Sequence, residues 1–275
     1  MSDTPQDPNP PEPPQTSAGD ARIVAIANQK GGVGKSTTTI NLGAALAFQG
    51  ERVLLVDLDP QGNTSSGLGI DRSAIELSTY EVLVDSVAVD DVLEPTSVRD
   101  LLIVPATIEL AGAEIELVSM FSRENRLANA LKPVIGDFDF VLIDCPPSLG
   151  LLTVNGLAAA QEVMIPIQCE YYALEGVSQL IRNIQLVKQN LNPELEIEGV
   201  VLTMFDGRTT LSSDVVKQVR EHFGERTYRT VIPRTVRLSE APSYGEPIEA
   251  FDPMSRGAIA YRELAREFRR RHGRS

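Results

Sequence analysis

The sequence predicts an α/β fold: a doubly wound, mostly parallel sheet flanked by helices and built on a phosphate loop. Three observations carry that expectation. Short, near-continuous runs of Val, Ile and Leu recur from residue 22 onward, as in strands buried on both faces. Stretches of helical periodicity separate them. The first run passes directly into "NQKGGVGKST" at 28–37, a glycine-rich turn opening a helix.

Residues 1–20, "MSDTPQDPNPPEPPQTSAGD", are Pro-rich and acidic. They offer too little apolar surface to offset their ordering entropy and are expected to be a disordered tail. "RIVAIAN" (22–28) is the first strand. "STTTINLGAALAFQG" (36–50) is helical through Ile40, Ala44 and Ala47 and stops at Gly50. "RVLLVDLD" (52–59) is the second strand. Further strand-like runs follow at 101–106, 140–146, 162–168, 198–205 and 228–233, with helical patterns at 174–190, 212–223 and 257–271. Residues 21–271 are expected to form one domain, with 272–275 a short basic end.

Composition narrows the function classes. The chain has 275 residues, 42% of them hydrophobic, enough for a sizeable core. No run approaches the ~18 apolar residues of a membrane span, and no secretory signal is visible at the start. The two cysteines, Cys145 and Cys169, lack ligand spacing, as expected of free thiols in a reducing cytoplasm. The histidines, His222 and His272, suggest no metal site. A net charge of −13 argues against a generally basic nucleic-acid coat but leaves room for a local basic patch.

In the loop, Gly31, Gly32 and Gly34 let backbone N–H groups approach phosphates, with Val33 between them, and the helix starting near Lys35 adds its positive end. Lys35 supplies a cation to the β- and γ-phosphates, and the Ser36 hydroxyl is placed for Mg²⁺. Asp57 and Asp59 end one apolar run and Asp144 another. In a parallel sheet all three face the phosphate end. The absence of an N-K-x-D after a late strand favours adenine, hence ATP. One oddity remains. The ordinary loop has a glycine where this chain has Gln29, and a second lysine, Lys30, stands beside it.

"KGGVGKST" resembles the deviant phosphate loop of the ParA/MinD ATPases. "VDLDPQGN", "DCPPSLG", "EYYALEG", "TMFDGRT" and "IPRTVRLSEAPS" are similar specifically to the chromosomal ParA/Soj branch, over about residues 22–268. The resemblance accounts for the extra lysine. It implies an ATP-dependent homodimer with nucleotides sandwiched face to face, Lys30 reaching the partner's phosphates and Lys35 its own. It implies that Asp59 orients the attacking water, that Asp144 holds Mg²⁺ through water with Asp57 assisting, and that Thr37 touches the α-phosphate. Pro233 matches a residue lining the adenine site; Thr235 stands where the family often has Asn.

The Soj-like motifs further imply nonspecific binding of double-stranded DNA by the ATP dimer, through Arg208 and Arg237, in a nucleoid-associated protein. Hydrolysis would be slow and stimulated by a ParB-type partner, and the role chromosome or plasmid partitioning. A MinD-like ATPase acting at a membrane surface in division-site placement is the alternative. It needs an amphipathic C-terminal helix free to bind lipid, whereas Tyr261, Leu264, Ala265 and Phe268 form a stripe expected to dock on the core. A redox protein like the nitrogenase iron protein shares the lysine box. Cys145, immediately after Asp144, is not where that relative's cysteine falls.

Overall fold

The computed structural model describes residues 21–170 and 176–274. Residues 1–20, 171–175 and Ser275 lie outside the described residues, and with them the expected disordered tail and most of "EYYALEG".

Among the described residues, eight strands form one sheet: β1 (Arg22–Ile26), β2 (Val53–Asp57), β3 (Glu94–Pro95), β4 (Leu101–Val104), β5 (Phe140–Asp144), β6 (Glu162–Gln168), β7 (Glu196–Phe205) and β8 (Thr227–Pro233). Their spatial order is β3-β4-β2-β5-β1-β6-β7-β8. All neighbours pair in parallel except β3, a two-residue antiparallel edge against β4. The chain leaves β1 toward one edge, returns through β5, and builds the other edge from β6 to β8. The loop after β1 thus sits at the reversal of strand order, where such sheets open a crevice.

The larger helices are α1 (Lys35–Phe48), α6 (Leu151–Ala159), α7 (Val177–Asn190), α8 (Thr210–Phe223) and α11 (Arg256–Arg271). Between β2 and β5 lie α2 (Asn63–Gly67), α3 (Thr79–Leu83), α4 (Leu110–Glu116) and α5 (Arg126–Leu131); α9 (Val236–Glu240) and α10 (Ile248–Phe251) follow β8. Helical patterns are expected between the strand-like runs, but the sequence gives no bounds for a helix between β2 and β5. Each one there is only five to seven residues long, too short for a helical period to register.

Period-two alternation splits the strands between two cores. Ile23, Ala25, Val141 and Ile143 pack on one face with α5 to α8; Val24, Ile26, Phe140 and Leu142 pack on the other with α1 and α11. The expected stripe on α11 is fully inside: Tyr261, Leu264, Ala265 and Phe268 are each at most 1% exposed.

The last residues of the chain are bound to the amino ends of the strands. Arg269 Nε donates to Glu51 Oε1 at 2.7 Å, and Arg274 pairs with Glu51 and, at 3.2 Å, with Asp139. Arg271 reaches Glu198 at 3.6 Å and Glu267 at 3.4 Å, its guanidinium 3.8 Å over the Tyr228 ring. His272 Nε2 lies 2.7 Å from Glu162 Oε2. His272 and Arg274, expected in a short basic end, are therefore part of the packed structure.

Candidate nucleotide site

β1 ends at Ile26, and the chain turns at once. The Asn28 amide anchors the turn, donating to the Pro166 carbonyl at 2.7 Å while its oxygen accepts from the Lys30 N–H. Gly32 and Gly34 take left-handed backbone, φ 72° and 90°, a region side chains with Cβ disfavour. Gly34 caps α1 without a side-chain acceptor, so the first N–H groups of that helix face the loop's concave side. Thr203 Oγ1, from β7, donates to the Val33 carbonyl at 2.7 Å and fastens the loop to the sheet. The Val33 side chain is buried and contributes only its backbone to the loop.

This loop borders a cavity of about 460 Å³. Gly31, Gly32, Gly34, Lys35, Ser36, Thr37 and Asp59 line it, with Asn63, Pro147, Met204 and Pro242 further round. Lys35 is buried, with its ammonium 3.5 Å from the Lys30 carbonyl, and pairs with no described carboxylate. Burial lowers its pKa, and the charges of Asp144 and Asp59 only partly offset this. Lys30 points elsewhere. Its side chain is 41% exposed and sits 3.7 Å from Glu170.

Asp57 and Asp144 are register partners at the ends of β2 and β5, both fully buried. Burial raises both pKa values, and repulsion by Asp144 adds to the rise at Asp57. Their hydrogen bonds differ. Asp57 Oδ2 accepts from the Ser65 N–H and hydroxyl, and Oδ1 from the Asp59 N–H. With both oxygens accepting these bonds, Asp57 braces the turn after β2. Asp144 Oδ2 accepts from Thr64 Oγ1 at 2.7 Å, while Oδ1 is buried without a partner among the described residues. The Ser36 hydroxyl and the Lys35 charge bear on the same carboxylate. An orphaned buried oxygen beside a hydroxyl at a helix start fits a hard divalent cation and its waters. Asp59 Oδ1 accepts from the Gln61 N–H and remains at the cavity wall.

Sequence reasoning missed Thr64 and Ser65, whose hydroxyls hold the two buried carboxylates. The clustered "NTSS" directly after "DLDPQG" was the available signal. Neither Pro233 nor Thr235 lines the cavity. Thr235 Oγ1 accepts from Leu238 N–H as the cap of α9, which occupies it locally. Pro233 pairs in register with Phe205, placing the loops after β7 and β8 side by side. The loop after β7 carries Arg208, 89% exposed and paired with Asp206 at 2.7 Å, and α9, which follows β8, carries Arg237, paired with Glu240 and Asp252. Cys145 is fully buried, and burial raises its thiol pKa. Its sulfur packs against Gly156 of α6, so it faces the core rather than a neighbouring subunit.

Comparison with known proteins supports the same assignment. The family model described as AAA domain matches residues 21–197. The sporulation initiation inhibitor protein Soj of Bacillus subtilis is 58% identical over 246 residues, covering 90% of this chain and 97% of that protein. The chain belongs to the ParA/Soj family. The chromosome partitioning protein ParA of Myxococcus xanthus is 54% identical, covering 91% of this chain and 88% of the relative. Among solved structures, one from Mycobacterium smegmatis described as cobyrinic acid a,c-diamide synthase with bound ATP analog and magnesium aligns with TM-score 0.82 and 45% identity, over 92% of this chain and 96% of that one. The cell division ATPase MinD of Pyrococcus furiosus aligns with TM-score 0.74 and 28% identity, over 91% and 99%. The ParA/Soj chain thus shares its mostly parallel sheet and loop with the deviant phosphate-loop proteins.

Proposed function

We propose that this ParA/Soj protein is an ATP-driven switch in DNA partitioning. It binds Mg²⁺-ATP, pairs face to face with a second copy, and then holds DNA nonspecifically until hydrolysis releases it. The observation that carries this reading is the divergence of the two loop lysines. Among the described residues, Lys35 is buried in its own cavity without a carboxylate partner, whereas Lys30 is half-exposed, outside that cavity and paired with Glu170. A cation facing outward beside a phosphate site can bind charge presented by another subunit, making association depend on nucleotide.

In this reading the glycine N–H groups, the start of α1, Lys35 and Thr37 bind the triphosphate. Ser36 and Asp144, the latter through water, hold Mg²⁺, which neutralises charge on the β- and γ-phosphates. Asp59 orients the attacking water and fixes its line of approach. Burial keeps the Lys35 charge from being screened, which strengthens its hold on the phosphates. A ParB-type partner stimulates the slow turnover.

Arg208 and Arg237 bind the DNA phosphates. Their present partners are surface carboxylates, and such exposed pairs contribute only about 0–1 kcal/mol, so phosphates can displace them. The membrane-surface alternative is disfavoured because the apolar stripe of α11 is already in the core. Among the described residues no helix is long and apolar enough to cross a membrane.

DNA cosedimentation without nucleotide, with ADP and with ATP, at two salt concentrations, tests the switch, with liposomes as a parallel arm. Binding to DNA only with ATP is expected; equal binding in all three states, or ATP-dependent binding to liposomes alone, contradicts it. Arg208→Glu and Arg237→Glu should weaken binding to all sequences alike. They should also flatten the slope of log K against log salt by about 0.9 for each phosphate no longer neutralised. Lys217→Glu is the control of equal charge; an equal weakening there makes the effect one of net charge.

A further inference from the structure

The segment from Asp59 to Ser65 is fastened at both ends to a buried strand-end carboxylate. At its start the Asp59 N–H donates to Asp57 Oδ1 at 3.1 Å. At its end two adjacent hydroxyls on α2 divide the carboxylate pair between them. Ser65 takes Asp57: its N–H and its hydroxyl both donate to Oδ2, at 2.9 and 2.7 Å, and the hydroxyl accepts from the Ala106 N–H at 3.0 Å. Those bonds are a brace. Thr64 takes Asp144. Its hydroxyl donates to Oδ2 at 2.7 Å and bonds nothing else among the described residues. Both side chains are fully buried, so water does not compete for the bond, and Asp144 Oδ1 is left without a partner among the described residues.

We propose that Thr64 is a positioning residue for the divalent cation: it sets the rotation of the Asp144 carboxylate, reserving Oδ1 for the cation's waters, and it ties the loop that carries Asp59 to that carboxylate. This rests on the reading of Asp144 as the metal-holding carboxylate. The two oxygens of an aspartate exchange places by a half-turn about χ2, a broad and nearly two-fold torsion. A short charge-assisted bond to one of them selects one orientation. A side chain that orients a metal-holding group in this way is typically worth about 10–100-fold in metal affinity or activity. The tie to Asp59 follows from register. Asp57 and Asp144 are paired across β2 and β5, and the Leu58 N–H donates to the Asp144 carbonyl at 3.0 Å. Between Asp59 and Thr64 the turn closes on itself: Asp59 Oδ1 accepts from the Gln61 N–H, and its carbonyl accepts from the Gly62 N–H at 2.8 Å. Fixing Asp144 therefore also fixes the far end of the loop whose near end carries Asp59.

The test uses the full chain, a non-hydrolysable ATP analogue and Mn²⁺, whose paramagnetic signal reports the free ion directly. Thr64→Val keeps the branched side chain and loses the hydroxyl; Thr64→Ala is a second loss of the hydroxyl with the same expectations; Thr64→Ser keeps it. With protein in excess over the analogue, Mn²⁺ should bind about 10-fold or more weakly to Thr64→Val and near the wild-type level to Thr64→Ser. Affinity for the analogue in EDTA should match wild type in all of them. At saturating Mn²⁺, phosphate release from ATP by Thr64→Val should stay about 10-fold below wild type, because the Asp59 loop has lost its far anchor, and Thr64→Ser should restore it. Unchanged Mn²⁺ affinity in Thr64→Val and Thr64→Ala, or equal weakening in Thr64→Ser, overturns the proposal and leaves the metal site standing. Full turnover by Thr64→Val at saturating Mn²⁺ overturns the tie to Asp59. A wild-type complex that holds Mn²⁺ no more tightly than the free analogue does overturns the reading of Asp144, and the role of Thr64 with it.

Discussion

At the carboxyl ends of the strands, among the described residues, Lys35 is buried without a paired carboxylate and Asp144 Oδ1 is buried without a partner. At the amino ends, Glu51, Asp139, Glu162, Glu198 and Glu267 meet Arg269, Arg271, His272 and Arg274 in ion pairs, with one oxygen of Glu198 left buried and unpartnered among the described residues. The same sheet separates these two groups of charges. Burying a charge without its partner is costly, so the carboxyl end withholds stability that a ligand can return on binding. The amino end pairs most of its charges with one another and ties α11 to the first strands. Substitutions at the first end should act on ligand and turnover; those at the second should act on folding.

The largest effect is expected at Asp59. Asp59→Ala removes a carboxylate from the cavity wall but leaves Asp144, Ser36 and Lys35 in place. ATP and Mg²⁺ should still bind, while turnover falls by about 100-fold or more, the usual scale for losing a group that positions or takes a proton. Phosphate release at saturating ATP measures it. Wild-type turnover would assign the water to another group.

Much of this first end was legible in the sequence. The loop announces itself through residues adjacent in the chain, and the apolar strands place Asp57 and Asp144 at their carboxyl ends and Asp59 just beyond. Strand limits were overread by a few residues, as at 22–28 against Arg22–Ile26, where Ala27 and Asn28 still bond β6 beyond the last residue of β1. The second end was not legible. Glu51 and Arg269 are 218 positions apart, and no local pattern marks two charges as partners at that separation. Met204 was missed for another reason: left-handed backbone is read from Gly or Asn, and here a slipped register imposes it on methionine.

The two lysines test the first end from inside. Lys35→Ala should weaken ATP binding by about 100-fold, the scale of a charge-assisted hydrogen bond to phosphate. Because it also removes a desolvated cation, the melting temperature without nucleotide should not fall. Lys30→Ala should keep its ATP affinity and lose dimer formation, read by light scattering with ATP. Normal ATP dimers from Lys30→Ala would remove the basis for a lysine acting across subunits.

Glu51→Ala probes the other end. It leaves Arg269 and Arg274 without their shared carboxylate. Both arginines can turn toward water, so the expected cost is about 2 kcal/mol, below the range for fully buried pairs. Urea unfolding should show the destabilisation with ATP affinity unchanged once folded. A drop in affinity with stability intact would mean that the two ends are coupled through α1 and α11.

The smallest effect separates the ends by pH. Glu198 is buried, and burial raises its pKa from the ordinary 4.5 to about 7; the hydrogen bond from Tyr228 and the charges of Arg271 and His272 oppose the rise, and Glu162 adds to it. Its folded pKa lies above the unfolded one, so folding favours the protonated form. That contribution is full below about pH 4.5 and is lost as pH rises through about 7. At His272 burial lowers the pKa, but the hydrogen bond and charge of Glu162 outweigh it and leave it raised. Its stabilisation is likewise full below the unfolded value and lost as pH rises. Both groups therefore make the nucleotide-free protein less stable as pH increases from 6 to 8, with about 1 kcal/mol of that change expected from Glu198. Asp57 and Asp144, raised by burial at the other end, act in the same direction. Glu198→Gln isolates the amino end, because it removes one titration and leaves the phosphate end untouched. Urea midpoints for wild type and Glu198→Gln at pH 6, 7 and 8 should converge as pH falls if the neutral carboxyl and the amide are equivalent there. They should separate at pH 8, with the variant the more stable. Parallel pH profiles would show that Glu198 does not titrate in this window, and would leave the pH dependence to His272 and the carboxylates beside the phosphate loop.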